Sequence, residues 1–336
     1  MLGNAELGRW DEFVRACPDA TFFHLSAWRG IIEDVFRHRT HFLYAQRAGE
    51  MVAVLPLAEV RSRLFGHALV SLPFCVYGGI AGSDDAVPEL EAAADRLAVK
   101  LGVAHLEYRN LAPRHPDWPR QDLYATFRKP ILPEVDANML AIPRKQRAMV
   151  RKGIANGLTA SFDAGVDRFF DLYARNVLRH GTPALPKRFF ARLRSEFDDA
   201  CTVMTVCDPQ GRPLSSVLSF HFRDEILPYY AGDDLAARDL AANDFKYWAL
   251  MRDACERGVR LFDYGRSKLG TGPYAFKKNW GFEPQPLAYE YRLYKRDSIP
   301  QNNPMNPKYR AFIALWRRLP LPVANALGPH IVRNLG

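Results

Sequence analysis

The chain has no run of 18 apolar residues, so no segment reads as a membrane span. Its longest apolar tract, Ala68 to Ala81, is broken by Pro73 and by glycines and reads as strand and turn. The segment Met1 to Trp10 has no charged region followed by an apolar one, so no signal peptide is expected. Cysteine is scarce: five residues in 336, Cys17, Cys75, Cys201, Cys207 and Cys255. Cys201 and Cys207 lie six apart in a β-like run, which excludes a CxxC-type site, and an odd, scattered set of core thiols fits a reducing cytoplasm. Nine histidines include no paired ligand spacing, so no metal site is expected. A Gly-x-Ser-x-Gly elbow, a P-loop and a dinucleotide-binding glycine fingerprint are all missing. These absences point to a cytoplasmic protein, or one peripheral to the inner face of a membrane.

Acid is the other shortage. Lysine and arginine number 46 against 37 acidic residues, a net charge of +9. From Ser298 to Gly336 there is no acid at all, while Lys308, Arg310, Arg317, Arg318 and Arg333 are present. Such a balance favours anionic partners without choosing among nucleic acid, phosphorylated sugars, coenzyme A and an acidic lipid surface. Tyr309, Phe312, Ile313, Leu315, Trp316 and Leu319 make the tail a short amphipathic helix, which either lies on an anionic membrane or docks on the first domain.

What is present is enough for two ordinary domains with sizeable cores. In the first half, helical patterns cover Glu6 to Ala16 and the stretch after Ser26, a candidate N-cap. His41–Arg47 and Met51–Leu57 read as a hairpin, Ala68–Ile80 and Val103–Arg109 as strands, and Glu89–Gly102 as a helix with Leu90, Ala93, Ala94, Leu97 and Leu101 on one face. Pro113 to Pro119 interrupts, and Tyr124–Lys129 is a further strand. In the second half, helices are expected from Pro143 to Gly153 or Gly157, and at Val166–Arg179, Lys187–Phe197 and Ala237–Gly258. Strands are expected at Thr202–Val206, Leu214–Phe222, Ile226–Ala231, Val259–Asp263 and Pro286–Tyr294, with Asp208-Pro-Gln-Gly211 as a hairpin turn. Each half runs helix, helix, hairpin, strand, helix, strand. That order predicts an α+β (α/β) class with a mixed sheet flanked by helices in each half. The expected domains are 1–138, with the tail 298–336 packing back on it, and 139–297.

The richest chemistry lies between Asp263 and Phe282. Three glycines, Gly265, Gly270 and Gly272, surround Tyr264, Arg266 and Lys268, and a short helical piece then carries Phe276, Lys277, Lys278 and Trp280. Cations among aromatics beside flexible backbone suit an anionic substrate or a developing oxyanion. A second basic cluster opens the 143–153 helix: Arg144, Arg147 and Arg151 share one face, either a phosphate-binding stripe or a solvated face. Tyr230, at a strand end, can protonate a leaving group or simply pack on a half-buried strand. Asp263 can accept a proton from an amine or cap the turn after it. In the first half, Pro73 to Gly79, with Tyr77, can line a cleft.

Two of these segments resemble a known pattern. Gly272-Pro-Tyr-Ala-Phe276-Lys277-Lys-Asn-Trp280-Gly281 resembles the Gly-x-x-x-Phe-Lys-x-x-(Phe/Trp)-Gly motif of Fem-type peptidoglycan aminoacyl transferases and of their FemAB-like relatives in PEP-CTERM/exosortase-associated exopolysaccharide loci. The basic helix resembles the Pro-Lys-Lys-x-Arg-x-x-Ile-Arg-Lys helix that opens the second Fem domain, and His24, Ser26 and Trp28 resemble the Fem opening. The resemblance implies two tandem GNAT-like acyltransferase domains. It implies transfer of an aminoacyl or acyl group to an amine of a cell-wall or exopolysaccharide precursor, with aminoacyl-tRNA or acyl-CoA as co-substrate and an anionic sugar or lipid-linked precursor as partner. It makes Lys277 the stabiliser of the tetrahedral oxyanion, Tyr230 or Asp263 the proton carrier, and Phe276, Tyr264, Arg266, Lys268, Trp280, Arg144, Arg147, Arg151 and Tyr77 the substrate contacts. The chain departs from coenzyme A-dependent relatives in lacking their (Gln/Arg)-x-x-Gly-x-(Gly/Ala) pyrophosphate loop: Gly232 to Asp244 holds one glycine. The helical arm of some tRNA-using Fem proteins is also missing. The alternatives are an acyl-CoA-dependent N-acetyltransferase and a non-catalytic protein that binds an anionic surface.

Overall fold

The computed structural model describes residues 1–62, 66–300 and 307–334, with the backbone alone at 307–310. Along the chain come α1 (Leu7–Ala16), α2 (Ala27–Ile31), β1 (Arg39–Arg47), β2 (Glu50–Ser62), β3 (Gly66–Val70), β4 (Ala81–Gly82), α3 (Val87–Leu101), β5 (His105–Asn110) and β6 (Arg120–Gln121). They are followed by β7 (Tyr124–Pro130), α4 (Val135–Ala141), α5 (Arg144–Ala155), β8 (Thr159–Phe162), α6 (Asp167–His180), α7 (Lys187–Phe197), β9 (Cys201–Cys207), β10 (Pro213–Phe222) and β11 (Glu225–Asp233). The chain then continues through α8 (Ala242–Glu256), β12 (Leu261–Asp263), β13 (Ser267–Lys268), α9 (Gly272–Asn279), β14 (Pro284–Pro286), β15 (Ala288–Leu293), α10 (Pro307–Trp316) and α11 (Leu321–Val332). Among the described residues no helix is long and apolar enough to cross a membrane.

Two compact units form, each a mixed sheet with helices. The first contains residues 1–124 and a return segment that starts at Pro286; the second runs from Ala125 to Gln285 and takes the helices up to Val332. The expected division at 138/139 is therefore displaced, and two strands belong to the other unit from the one their position suggests. β7, expected with the first half, pairs antiparallel with β12 in the second sheet, Phe262 opposite Lys129. β15, expected as the last strand of the second half, pairs antiparallel with β5 in the first, Glu290 opposite Tyr108. The tail differs too: α10 and α11 belong to the second unit, where α11 packs on α6. Only the chain beyond Val332 rejoins the first, where His38 Nε2 lies 2.6 Å from the Arg333 carbonyl oxygen. Lys308, Tyr309 and Arg310 have side chains outside the described residues.

In the first unit the strand order is β1-β2-β3-β5-β15-β6, with β4 on β2. Leu43, Leu55, Leu57, Leu69 and Leu106 meet Leu90, Ala94 and Ala98 of α3, whose 4-residue spacing forms one buried stripe. Ser26 does not cap a helix side chain to backbone. Its hydroxyl donates instead to the Asp11 carboxylate at 3.0 Å, and α2 runs directly into a π turn, Ile32–Phe36. The segment after Val70 is irregular and folds back on itself, so closely that a Cβ on Gly78 would stand 1.9 Å from the Ser71 carbonyl oxygen. The Pro-rich loop after β5 is anchored by Glu290, which is fully buried. Its carboxylate accepts from Asn110 Nδ2 (2.8 Å), the Arg114 and His115 backbone amides (2.9 and 3.0 Å) and His115 Nδ1 (2.7 Å). His115 Nε2 reaches Glu91 at 2.7 Å.

In the second unit the order is β13-β7-β12-β11-β10-β9-β8, with β14 on β7. Its core joins Phe127, Met204, Val206, Val217, Ile226 and Phe262 of the sheet to Val150 of α5 and to Trp248, Leu250 and Ala254 of α8. Helix α8 is shorter than expected, since Leu235–Ala237 forms a 3₁₀ turn and Ala241 is left-handed (φ 59°). Helix α6 crosses β11 so closely that a Cβ on Gly232 would sit 2.3 Å from the Tyr173 backbone nitrogen.

Two measurements check these packings. Burial pushes the His115 pKa down, but the bonds to Glu290 and Glu91 outweigh it and raise the value to about 9. A raised histidine stabilises fully below its unfolded pKa of about 6.5 and loses that contribution as pH climbs through the folded value. The urea midpoint should fall between pH 6.5 and 9, and His115→Asn should flatten that slope. Gly232→Ala should cost about 1–3 kcal/mol, because backbone rather than a flexible side chain must move, and thermal melting would register it.

Candidate active site in the second unit

The site begins where two parallel strands part. β11 and β12 share two register pairs, Glu225 with Leu261 and Ile226 with Phe262. Beyond Ile226, β11 continues to Asp233 while β12 ends at Asp263. A bulge at Tyr229, where Leu218 faces Tyr230 and Ser219 faces Pro228, bends β11 just past the parting point. Tyr229 and Tyr230 are half-buried there. The Tyr230 ring meets Phe189, Phe190 and Tyr229 edge-on, with centroids at 5.9, 5.2 and 4.7 Å.

The end of β12 is held by a buried carboxylate. Asp263 is fully buried; one oxygen accepts from Gly265 N (2.7 Å) and Thr126 Oγ1 (3.3 Å), and the other faces Arg128 Nε at 3.2 Å. Arg128 also pairs with Glu225. Asp263 thus caps the turn after its own strand, the second of its two sequence readings, and does so from inside an ion pair. Gly265 adopts φ +62°, which lets the chain reverse.

Lys277 comes to the same turn from helix α9. Its ammonium donates to the carbonyl oxygens of Tyr264 (2.6 Å), Gly265 (3.0 Å) and Arg266 (3.3 Å). It also lies over the rings of Phe127 and Tyr264, at 5.4 and 5.8 Å from their centroids. An ammonium has three donors, and all three are engaged. Burial lowers its pKa to about 7; Asp263 pulls the other way and Arg266 adds to the lowering. Lys277 therefore fixes the 264–266 backbone, where the sequence suggested an amine free to meet an oxyanion.

An aromatic wall backs this turn. Tyr264 is buried against Tyr247, Phe262 and Phe282, at 4.8, 4.9 and 4.6 Å between ring centroids. Its hydroxyl has no hydrogen-bond partner, and burial raises its pKa well above the usual value. Trp280 is buried and donates Nε1–H to Asp244 at 2.9 Å, while Phe276 is half-buried beside Tyr247. Arg266 is exposed and Lys268 partly so.

Other sequence candidates are placed elsewhere. Arg144 and Arg151 are exposed on α5, but Arg147 donates to the Leu140 carbonyl oxygen at 2.9 Å and closes the end of α4. The start of α5 does approach the α9 turn: a Cβ on Gly281 would lie 3.3 Å from Pro143 and 3.5 Å from Lys129 Nζ. Lys129 is a cation that sequence reading missed, because it lies on a strand expected in the other half. Tyr77 belongs to the first unit, buried edge-on against Phe23 at 5.9 Å. The sequence also missed Lys246, fully buried on α8 and 2.9 Å from Asp233, which accepts from Ser215 as well. Its only signal was a lysine inside an otherwise apolar helix face.

The stretch leading into α8 is mostly acidic. Asp233, Asp234, Asp239 and Asp244 occur there with Arg238 as the one cation before the helix; Asp234 caps the 3₁₀ turn, Asp244 accepts from Trp280, and Lys246 is paired with Asp233. Acids at a helix start oppose an anion there. Among the described residues no group of three His, Cys, Asp or Glu side chains could hold a metal ion.

Residues 142–278 match the acetyltransferase (GNAT) domain family. No curated protein matches the chain. The fold is similar to that of FemX (15% identity, 86% of this chain and 96% of that one, TM-score 0.66). It is also similar to the C-terminal domain of a putative lysylphosphatidylglycerol synthetase from Agrobacterium fabrum (14% identity, 93% and 95%, TM-score 0.59). A tandem GNAT protein from the clavulanic acid biosynthesis pathway matches as well (14% identity, 86% and 94%, TM-score 0.51). The fold is thus two tandem GNAT-like domains.

Lys277→Met leaves three inward-facing carbonyls without a donor and should cost about 1–3 kcal/mol. A lysine whose folded pKa lies below its unfolded value sheds its proton first in the folded state. Stability relative to Lys277→Met should therefore rise from pH 7 towards 10. Urea unfolding of both proteins at pH 6, 7, 8.5 and 10 reads this difference.

Proposed function

We propose that the protein is an N-acyltransferase of the FemAB-like type, moving an aminoacyl or acyl group onto an amine of a cell-wall or exopolysaccharide precursor in the cytoplasm. The observation that carries this reading is the parting of β11 and β12 within the GNAT-matched segment, with Tyr230 on one side and the Lys277-tied turn on the other. The acceptor amine attacks the activated carbonyl; the C–N bond forms as the carbonyl becomes an oxyanion, and the C–O or C–S bond to the leaving group then breaks. Tyr230 gives the leaving group its proton and takes back the one that the newly bonded nitrogen sheds, a relay worth about 10²–10⁴ in rate. Lys277 lends positive charge through the turn it holds, and Asp263 with Arg128 keeps that turn in place. Arg144, Arg151 and Lys129 supply charge for the anionic part of donor or acceptor, as do Arg266 and Lys268. Phe276, Tyr264 and Trp280 keep the turn dry.

The acids at the start of α8 favour a donor without a pyrophosphate at that point, which supports aminoacyl-tRNA over acyl-CoA. The likeness to the GNAT family favours acyl-CoA and keeps it as the second reading. Purified protein given labelled aminoacyl-tRNA or acetyl-CoA, with an amino-sugar acceptor, separates them. Transfer from charged tRNA alone is expected, with Tyr230→Phe at least 100-fold slower. Saturable turnover with acetyl-CoA and none with tRNA would overturn the donor assignment, and undiminished turnover in Tyr230→Phe would overturn the mechanism.

A further inference from the structure

The two C-terminal helices expose apolar side chains that the acyl-transfer reading does not use. Both are seated on their own unit. On the inner side Trp316, Ala324, Gly328 and Val332 are buried. A Cβ on Gly328 would lie 3.0 Å from the Ala184 carbonyl oxygen, and one on Gly181 would lie 2.5 Å from Ile313 Cγ2. Arg317 donates to the His180 carbonyl oxygen at 3.3 Å. Helix α11 packs on α6, so the outer face is fixed in orientation.

Away from these contacts α10 exposes Phe312 (37%) and Leu315 (65%), and α11 exposes Val323 (42%) and Leu327 (47%). Their spacings, i to i+3 on α10 and i to i+4 on α11, put each pair on one side of its helix. Helix α11 has no charged residue from Leu321 to Val332. An ordinary surface helix turns its polar side to solvent, whereas this one is apolar on both sides. The charges next to it along the chain in the same unit have one sign: Arg317 and Arg318 are exposed, no carboxylate among the described residues pairs with them, and no acid occurs from Ser298 to Gly336.

We infer that this face is a membrane-contact surface that lies flat on an anionic phospholipid bilayer, with Phe312, Leu315, Val323 and Leu327 entering the headgroup boundary and Arg317 and Arg318 meeting lipid phosphates. Apolar residues flanked by arginine alone complement a negatively charged lipid surface and mismatch zwitterionic lipid or an acid-poor, basic copy of the same chain. The inference is independent of donor and reaction. It holds the enzyme at the surface where a lipid-linked acceptor would be found.

Flotation of the full chain with vesicles tests it without any transfer assay. The protein should float with vesicles of equal phosphatidylglycerol and phosphatidylcholine at low salt, and only weakly with phosphatidylcholine alone. Two arginines at the surface are worth roughly tenfold or more in binding, so Arg317→Glu with Arg318→Glu should lower it by that factor and remove its salt sensitivity. Val323→Glu with Leu327→Glu should lower it at least as much, with a thermal melt matching the wild type. Absence of wild-type binding to anionic vesicles would overturn the inference, as would wild-type-like binding by both double variants. A wild-type dimer in sedimentation that the Val323/Leu327 variant breaks, with no vesicle binding, would assign the face to a second copy instead.

Discussion

The candidate active site depends on how three consecutive carbonyl oxygens, those of Tyr264, Gly265 and Arg266, come to point at the amine of one lysine. Carbonyl dipoles aimed together repel, and such a turn holds only if a hydrogen-bond donor sits at their focus. Lys277 supplies it from α9, and Asp263 holds the opposite side of the turn by accepting from Gly265. The carboxylate is neutralised by Arg128 and the whole assembly is closed from water by Phe127, Tyr264 and Trp280. Burial makes each ion expensive alone, so each is retained only with its partners. The result is a rigid reversal at the end of β12, placed where β11 bends away. A preorganised wall of this kind costs no rearrangement when charge develops beside it.

Much of this was legible in the sequence, and the limits have physical causes. Local signals were sound. The Asp208–Gly211 turn does join β9 to β10, with Asp208 accepting from the amides of Gln210 and Arg212. Pro143 does stand at the start of α5. Of the two glycines expected to end that helix, Gly157 does so, left-handed (φ 68°) just past Ala155, while Gly153 lies inside the helix, where α8 comes within 2.7 Å of where a Cβ would be. A helix terminator and a helix-crossing glycine look alike in one dimension. Pairing was the real blind spot. A strand advertises its burial by composition, but its neighbour is chosen by topology, so β7 and β15 were recognised as strands and given to the wrong sheets.

The candidate site shows the same division. Asp263, Tyr264, Arg266 and Lys277 lie within 15 residues of sequence, and the structure brings them to one turn. What sequence could not carry is the number of bonds each group has already made. Lys277 reads as an available amine and is saturated by backbone; Arg147 reads as part of a basic stripe and is spent on Leu140. Conversely, Lys246 reads as an ordinary helical lysine and is a buried ion. Chemical availability is a property of three-dimensional bookkeeping, and composition reports only the inventory.

The crossing of β7 and β15 between the two sheets also bears on how the chain is made. A ribosome releases residues in order, and the sheet of the first unit includes a strand, Ala288–Leu293, that emerges only after nearly the whole of the second unit. Until then β5 waits with one edge open, a row of unpaired amides and carbonyls exposed to whatever strand arrives first. The second unit, by contrast, has β7 in hand before any of its own later strands appear. Sheet completion during synthesis therefore runs against the numbering: the second sheet has all its strands by Pro286, before its helices α10 and α11 are made, and the first sheet is sealed by the later arrival of β15.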